Sequence, residues 1–439
     1  MDQLYRQLLS EFLSFKSVST DPQFLPEIEK TVAWLKETFE RNGFSVHVVH
    51  GYDNPLVVAT YMADPSFKTV LVYGHYDVQP ADQAEGWSAD PFTLTEKNNR
   101  LYGRGVIDNK GQVLVHMVNV FQAIQGKTLG YNVAFMLEGN EETGSPLLAS
   151  FIEKHKDLLR SDFVLLSDGE ISGNAPNAEI GFRGVFNSTL TISVGTTDLH
   201  SGLYGGAAPN AIHELSKVIS RFYDPANKLA DQGLYTGSAP ITPEIVENNK
   251  RISFSLAEYQ KTTGRKVFFT QDGLDIFTRV GLLPSIEVTG IQSGYTGEGY
   301  RNAIPYRAMA KINVRLSPTQ DPEAVFAAFK KFIAGIVPSY VDWDLSFDQY
   351  NQGVFLETHN EYVARAQAVL ERVWAKPVLR KYVGGSLPII TYFAQMLHAP
   401  VVSIPLVNED CAMHAADENF DLTYWDKAMA FSKQFFSKS

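Results

Sequence analysis

Three apolar runs in this chain end alike, and that shared ending constrains the fold more than any other feature. Val70–Gly74 leads into His75 and Asp77, Val133–Leu137 into Glu138, Glu141 and Glu142, and Phe163–Leu166 into Asp168. Short runs rich in β-branched and aromatic residues, bounded by glycine, read as buried strands. Between the first two lies Leu101–Gly111, a glycine-rich loop that sets Asp108 just ahead of a predicted helix. Open α/β sheets place their sites beyond the carboxyl ends of such strands. The pattern therefore predicts a histidine and several carboxylates gathered at one edge of one sheet.

Periodicity supplies the rest of that layer. Helices are predicted at 1–16 and 24–42, the second closing on a left-handed cap at Asn42-Gly43. Strands follow at 44–50, 56–62 and 69–75, then a helix at 111–125, a strand at 132–138, a helix at 145–159 and a strand at 162–167. This alternation argues for an α/β fold with a mixed, mostly parallel sheet flanked by helices. After Gly181 the character changes. Val185–Val194 alternates as a half-exposed strand and Asn210–Phe222 is an amphipathic helix; strands Ser285–Thr289 and Ala308–Leu316, helix Pro322–Ala334 and strand Asp342–Phe347 follow. That order predicts a smaller α+β sandwich at 183–351, inserted between two parts of the first domain at 1–182 and 352–439. The polar stretch 223–282 fits no element. The first domain resumes with a helix at 360–374, a Gly384-Gly385-Ser386 turn into a helix at 384–398, a strand at 400–404, a loop to His414 and a final helix at 422–437.

Composition excludes several classes of function. A chain of 439 residues with 44% hydrophobic and 20% charged residues can bury a substantial core. A net charge of −11 disfavours nucleic acid and anionic membranes as partners, and suits carboxylates concentrated around a cation. No apolar run approaches the ~20 residues that span a bilayer. Residues 1–16 show neither a basic nor a continuous apolar segment of a signal peptide. The single cysteine, Cys411, excludes an intramolecular disulfide and fits a reducing, cytoplasmic setting.

His75 and Asp77 lie two apart on extended backbone, so their side chains point the same way. That spacing suits a histidine bound to metal through one ring nitrogen while a carboxylate steadies the other. Alone, such a histidine is more often a surface residue; the nearby carboxylate markers shift the balance. Adjacent Glu141 and Glu142 raise each other's pKa unless something positive offsets them. A cation does so and divides their labour, one ligating while the other serves as general base on a water. A solvated acidic turn is the bland alternative, but the pair follows a five-residue apolar strand. Asp108 reads equally as a helix cap or as a carboxylate bridging two cations. Cys411 can ligate zinc, but an ordinary buried thiol is the better reading. His116, His155, His213, His359 and His398 lie on predicted helices or their ends, without carboxylate company, and read as packing or surface residues.

As a set, and over nearly the full length, these residues resemble the co-catalytic zinc peptidases related to carnosinase, carboxypeptidase G, succinyl-diaminopimelate desuccinylase and aminoacylase. The carnosinase-like dipeptidase branch is the most similar, in Gly74–Pro80, Leu101–Gly111 and Glu138–Ser145. The resemblance implies that Asp108 bridges two metals, with His75 and Asp168 on one and Glu142 and His414 on the other. It makes Glu141 the general base and Asp77 the support of His75. It further implies that the inserted domain is a lid that dimerises, and that His200, in Thr197–Gly206, reaches the partner's site to stabilise the tetrahedral oxyanion. Taken alone, His200 is a loop histidine beside a glycine turn. Arg315 interrupts an apolar strand, which is costly unless its charge is paired; by resemblance it pairs with the substrate's terminal carboxylate. Gly385 and Ser386 would cradle the same group, and Asn302 would add a polar lid contact. Asn408–His414 replaces the short acidic-glycine approach of relatives to the last histidine, whereas Glu418-Asn419 matches the family's ending.

The implied activity is metal-dependent dipeptidase or carboxypeptidase hydrolysis of small peptides with a free C-terminal carboxylate. It would use two divalent ions, zinc with manganese as a replacement, in a homodimer with no nucleic acid or membrane partner. Two alternatives stay open. One is an N-acyl amino acid deacylase on the same metals. The other is a silent binding protein on this fold, against which the complete ligand set speaks. No serine-nucleophile elbow, phosphate loop or zincin helix motif is present.

Overall fold

Strand Thr69–His75 runs parallel to Asn132–Glu138 on one side and to Phe163–Leu166 on the other. The structure, a computed structural model, describes residues 1–438 apart from 174, 253–255 and 271–272. Within the unexplained 223–282 stretch, 253–255 and 271–272 thus lie outside the described residues. Two compact units are distinguished. The first comprises Met1–Ile180, Leu356–Lys381 and Pro388–Ser439, the second Gly181–Phe355 and Tyr382–Leu387.

In the first unit the sheet order is Ser45–Val49, Leu56–Tyr61, Asn132–Glu138, Thr69–His75, Phe163–Leu166, Val401–Ser403, Asn177–Phe182. The central pairings are parallel and the flanking ones antiparallel. The central strand is continuously apolar because both its faces are covered. On one face Gly74 meets helix Lys110–Gln125 so closely that a Cβ would stand 2.9 Å from the Val113 side chain. On the other, the Tyr73 ring packs edge-on against Phe393 at 5.5 Å. Register then fixes the site. His75 is level with Glu138, and Tyr73 with Leu166, so continuing each strand brings His75, Asp168 and the Glu141-Glu142 turn to one edge.

Several expectations need correction. The helix expected at 145–159 occupies only Leu148–Lys154. Gly144 and Ser145 take left-handed backbone, φ 83° and 47°, which closes the Glu141–Thr143 turn before a helix can start. The helix expected from 384 starts at Pro388, where proline's missing N–H costs nothing, and passes from Pro388–Tyr392 into a π-helical Phe393–Leu397. A short hairpin, Thr95–Lys97 and Arg100–Tyr102, escapes periodicity altogether, as does its partner strand Asn419–Asp421. These strands are too short to carry a pattern, yet they anchor the loop that bears His414. Asp421 then caps helix Leu422–Phe436 by accepting the Thr423 N–H at 2.7 Å.

The second unit is an antiparallel sheet ordered Ser285–Ser293, Arg307–Leu316, Gly184–Ser193, Asp342–Leu345, with Tyr350–Asn351 also on Gly184–Ser193. Leu190, Ile192, Ala310, Ile312 and Val314 share one core with Leu215, Phe329 and Ile333 of helices Ala211–Ile219 and Pro322–Ile336. Burial contributes roughly 1.5–3 kcal/mol for each large side chain of this kind. The 223–282 stretch supplies helices Pro243–Ile252, Leu256–Thr263 and Ile276–Leu282 to this unit.

Candidate metal centre

At the carboxyl edge of the first unit's sheet, His75, Asp108 and Asp168 offer ligand atoms that all lie within 4.8 Å of one another; so do Asp108, Glu142 and His414. Asp108 is common to both groups. Its Oδ1 is 3.0 Å from His75 Nε2, and its Oδ2 is 2.8 Å from His414 Nε2. Asp168 Oδ2 approaches His75 Nε2 at 3.8 Å, and Glu142 Oε2 approaches His414 Nε2 at 3.3 Å.

Each of these side chains is held by a distinct local device. His75 Nδ1 faces the Asp77 carbonyl at 3.1 Å and the Asp77 carboxylate at 3.3 Å, which leaves Nε2 for the site. The buried Asp77 carboxylate also accepts the backbone N–H groups of Glu141 at 3.3 Å and Glu142 at 3.2 Å. One carboxylate therefore fixes both the histidine and the acidic turn. Gln79 Nε2 donates to Glu142 Oε2 at 2.7 Å. In the Asp108 loop, Gly111 permits a close approach that no side chain allows, since a Cβ there would meet the Val106 carbonyl at 1.8 Å. His414 takes left-handed backbone, φ 58°, as do its neighbours Ala412 and Asp417. Non-glycine residues in that region are uncommon and concentrate at functional loops.

The charges are unbalanced. Burial pushes the Asp168 carboxyl up to about 6, with Asp108 adding to the push. Glu141 is held well above the usual carboxylate range, first by removal from solvent and then by Asp168, Asp108 and Glu142, which outweigh His75. His414 is drawn up to about 10 by Asp108 and Glu142. Burial opposes it, yet His414 and His75 keep Asp108 well below its ordinary value. Two imidazoles do not neutralise Asp77, Asp108, Glu141, Glu142 and Asp168. Nitrogen and oxygen donors in two sets that share one carboxylate fit a pair of divalent cations.

Residues that sequence reading missed tie the loops together. Gln112, fully buried, donates to the carbonyls of Ile107 at 3.0 Å and Gly169 at 3.1 Å and accepts the Leu406 N–H at 3.1 Å. Asn109 Nδ2 donates to the Ser167 carbonyl at 2.8 Å. The only hint in the sequence is the polar run Asn109-Lys110-Gly111-Gln112 opening an otherwise apolar helix. His116 is buried between Ser167 and Ser432, consistent with a packing role. Cys411 is buried and free, and belongs to neither ligand group.

His200, Asn302, Arg315, Gly385 and Ser386 all belong to the second unit, and the ligand groups to the first. There His200 pairs with Ala303, and the Ser201 N–H donates to the Asn302 carbonyl at 3.0 Å, so His200 and Asn302 are side by side. His200 Nδ1 accepts the Gly202 N–H at 3.0 Å, which leaves Nε2 open. Arg315 lies on strand Arg307–Leu316, on the face away from the core that Val314 and Leu316 enter. The Ser386 hydroxyl is buried without a hydrogen-bond partner among the described residues.

The profile of Peptidase family M20/M25/M40 matches residues 71–438. Human Beta-Ala-His dipeptidase is 29% identical over 447 aligned residues, covering 94% of this chain and 86% of that protein. The Cys-Gly metallodipeptidase dug1 of Schizosaccharomyces pombe is 29% identical, covering 94% of this chain and 91% of that protein. Among solved structures, the M20 family metallo-carboxypeptidase Sso-CP2 from Sulfolobus solfataricus superimposes with a TM-score of 0.85 at 28% identity, covering 99% of each chain. The chain therefore belongs to peptidase family M20/M25/M40 and is a metal-dependent peptidase of that family.

Proposed function

We propose that the protein is a dipeptidase that cleaves the amide bond of small peptides bearing a free C-terminal carboxylate. The observation that carries this reading is the pair of ligand groups sharing Asp108, seated where parallel strands end. The names of the human and fission-yeast relatives, both dipeptidases, support the substrate class. His75 and Asp168 would hold one ion and Glu142 and His414 the other, with Asp108 between them. Histidine nitrogen and carboxylate oxygen favour zinc, with manganese as a replacement. When bound, the ions supply Lewis-acid charge and lower the pKa of a water.

Glu141 takes the proton of the attacking water and returns it to the leaving amine nitrogen. Asp77 supports this by fixing the Glu141 backbone and the His75 ring. His200 donates from Nε2 to the oxyanion in the partner chain's site. Arg315 binds the terminal carboxylate, the Ser386 hydroxyl and the Gly385 backbone assist, and Asn302 lines the lid beside His200. In this reading residues 183–351 are the lid and dimerisation domain, with 1–182 and 352–439 forming the catalytic one. The dimer is supported by strand Ser285–Ser293, which stands at the sheet edge, and by exposed Leu203, Ile291, Tyr295 and Tyr300. A buried free cysteine fits the cytoplasm.

The test is amino acid release from a panel of dipeptides and N-acetyl amino acids. Metal-dependent cleavage of dipeptides supports the proposal. Cleavage of the acetylated compounds alone moves the protein to the deacylases, and inertness to both, with metal bound, leaves a binding protein.

A further inference from the structure

Within the second unit, a pocket of about 710 Å³ opens over the outer face of the sheet beside Arg315. Its described lining holds three guanidinium groups, Arg183, Arg279 and Arg315, against one carboxylate, Glu287. Arg183 is already engaged, donating from Nε to the Gly384 carbonyl at 2.9 Å and from Nη1 to the Leu283 carbonyl at 3.2 Å. The Arg315 guanidinium, half-buried, has no anionic partner among the described residues. A partly desolvated cation of this kind is costly unless an anion joins it, and a guanidinium fork accepts a carboxylate in two parallel bonds. Beside these charges the lining holds polar Asn227, Thr289 and Asn313 and an apolar side, much of which comes from the 223–282 stretch. Phe268, Phe269, Ile276 and Val280 face the same space, and Phe269 and Val280 are 51% and 40% exposed. Apolar side chains left open around a cationic floor suit a ligand with a carboxylate at one end and an apolar group beside it.

We propose that the Phe269–Val280 side of this pocket selects a large apolar side chain on the C-terminal residue of the substrate, the residue whose carboxylate the dipeptidase reading already gives to Arg315. The inference rests on the dipeptidase reading and deepens it by naming the preferred peptides, those ending in leucine or phenylalanine rather than alanine or aspartate. It also gives the 223–282 stretch a task.

The test compares kcat/KM for Gly-Leu, Gly-Phe, Gly-Ala and Gly-Asp in the metal-loaded wild type and in Phe269→Ser and Val280→Ser. Both positions are exposed enough for the fold to tolerate the change. Each methylene buried in such a pocket gives roughly tenfold discrimination or more, so Gly-Leu is expected to exceed Gly-Ala by at least that factor. The serine variants should shrink the Gly-Leu to Gly-Ala ratio several-fold, through a loss of kcat/KM for Gly-Leu. No preference in the wild type, or a preference that survives in both variants, overturns the proposal. If no dipeptide is cleaved, the dipeptidase reading fails separately. Equilibrium binding of free leucine and alanine then decides the pocket: tighter leucine binding, weakened by the serine variants, upholds it, and equal binding overturns it.

Discussion

Glu418 holds Asp108 by its backbone, Oε1 accepting the Asp108 N–H at 3.2 Å, while the Asp108 carboxylate faces His75 and His414. The same Glu418 carboxylate accepts the N–H groups of Gly105 at 3.1 Å and Ile107 at 3.0 Å, and a 2.6 Å bond from Arg104. Glu418 follows His414 by four positions, so one buried carboxylate couples the loop of the shared ligand to the loop of the last one.

Glu418→Gln should therefore act on the metal site from behind. It leaves the buried Arg104 charge uncompensated, a loss of roughly 3–5 kcal/mol in unfolding free energy. Metal affinity should fall about 10- to 100-fold, as when other supports of ligands are removed. Denaturation and metal titration measure the two effects; a folded variant with unchanged affinity would refute the coupling.

Glu141→Gln should behave differently. Asp77 grips the backbone of residues 141 and 142, so the turn stays in place and metal content persists. Turnover should fall by about 10²- to 10⁴-fold, the usual contribution of a general base. Near-normal turnover removes Glu141 from the role.

The parts of the site readable in sequence are those where chemistry and strand register coincide. His75, Asp168 and the Glu141-Glu142 turn lie at the ends of apolar runs, and parallel pairing brings such ends together whatever the intervening chain does. Gln112 was not readable, because its significance depends on Leu406, 294 residues away. Glu418 is legible as part of a family ending, but its grip on the Asp108 loop is not, for the same reason. Short elements such as Arg100–Tyr102 and Asn419–Asp421 hold too few residues for any period to emerge.

Mixing the two inactive variants Glu141→Gln and His200→Ala should restore part of the activity if His200 serves the partner's site. Hybrid dimers would then contain one site with both groups intact. Verified subunit exchange without recovery counts against a shared site.

His116 predicts an acid-side loss of stability. Burial lowers its pKa from 6.5 to about 3, so as pH falls the unfolded chain takes up the proton first. The stability present above pH 6.5 is thus lost toward pH 3 at roughly 1.4 kcal/mol per pH unit. Between pH 7.5 and 5 the chelated wild type should lose roughly 2 kcal/mol more than His116→Gln, as measured by denaturant unfolding. Equal losses would show that His116 is not the group responsible.

The most direct test of the account is to titrate chelated protein with zinc while following release of amino acids from Gly-Leu. Two ligand groups sharing Asp108 predict no activity without metal and a rise that saturates at two equivalents per chain. Hydrolysis that persists in the chelated protein, or that reaches its maximum at a single equivalent, would contradict the paired site.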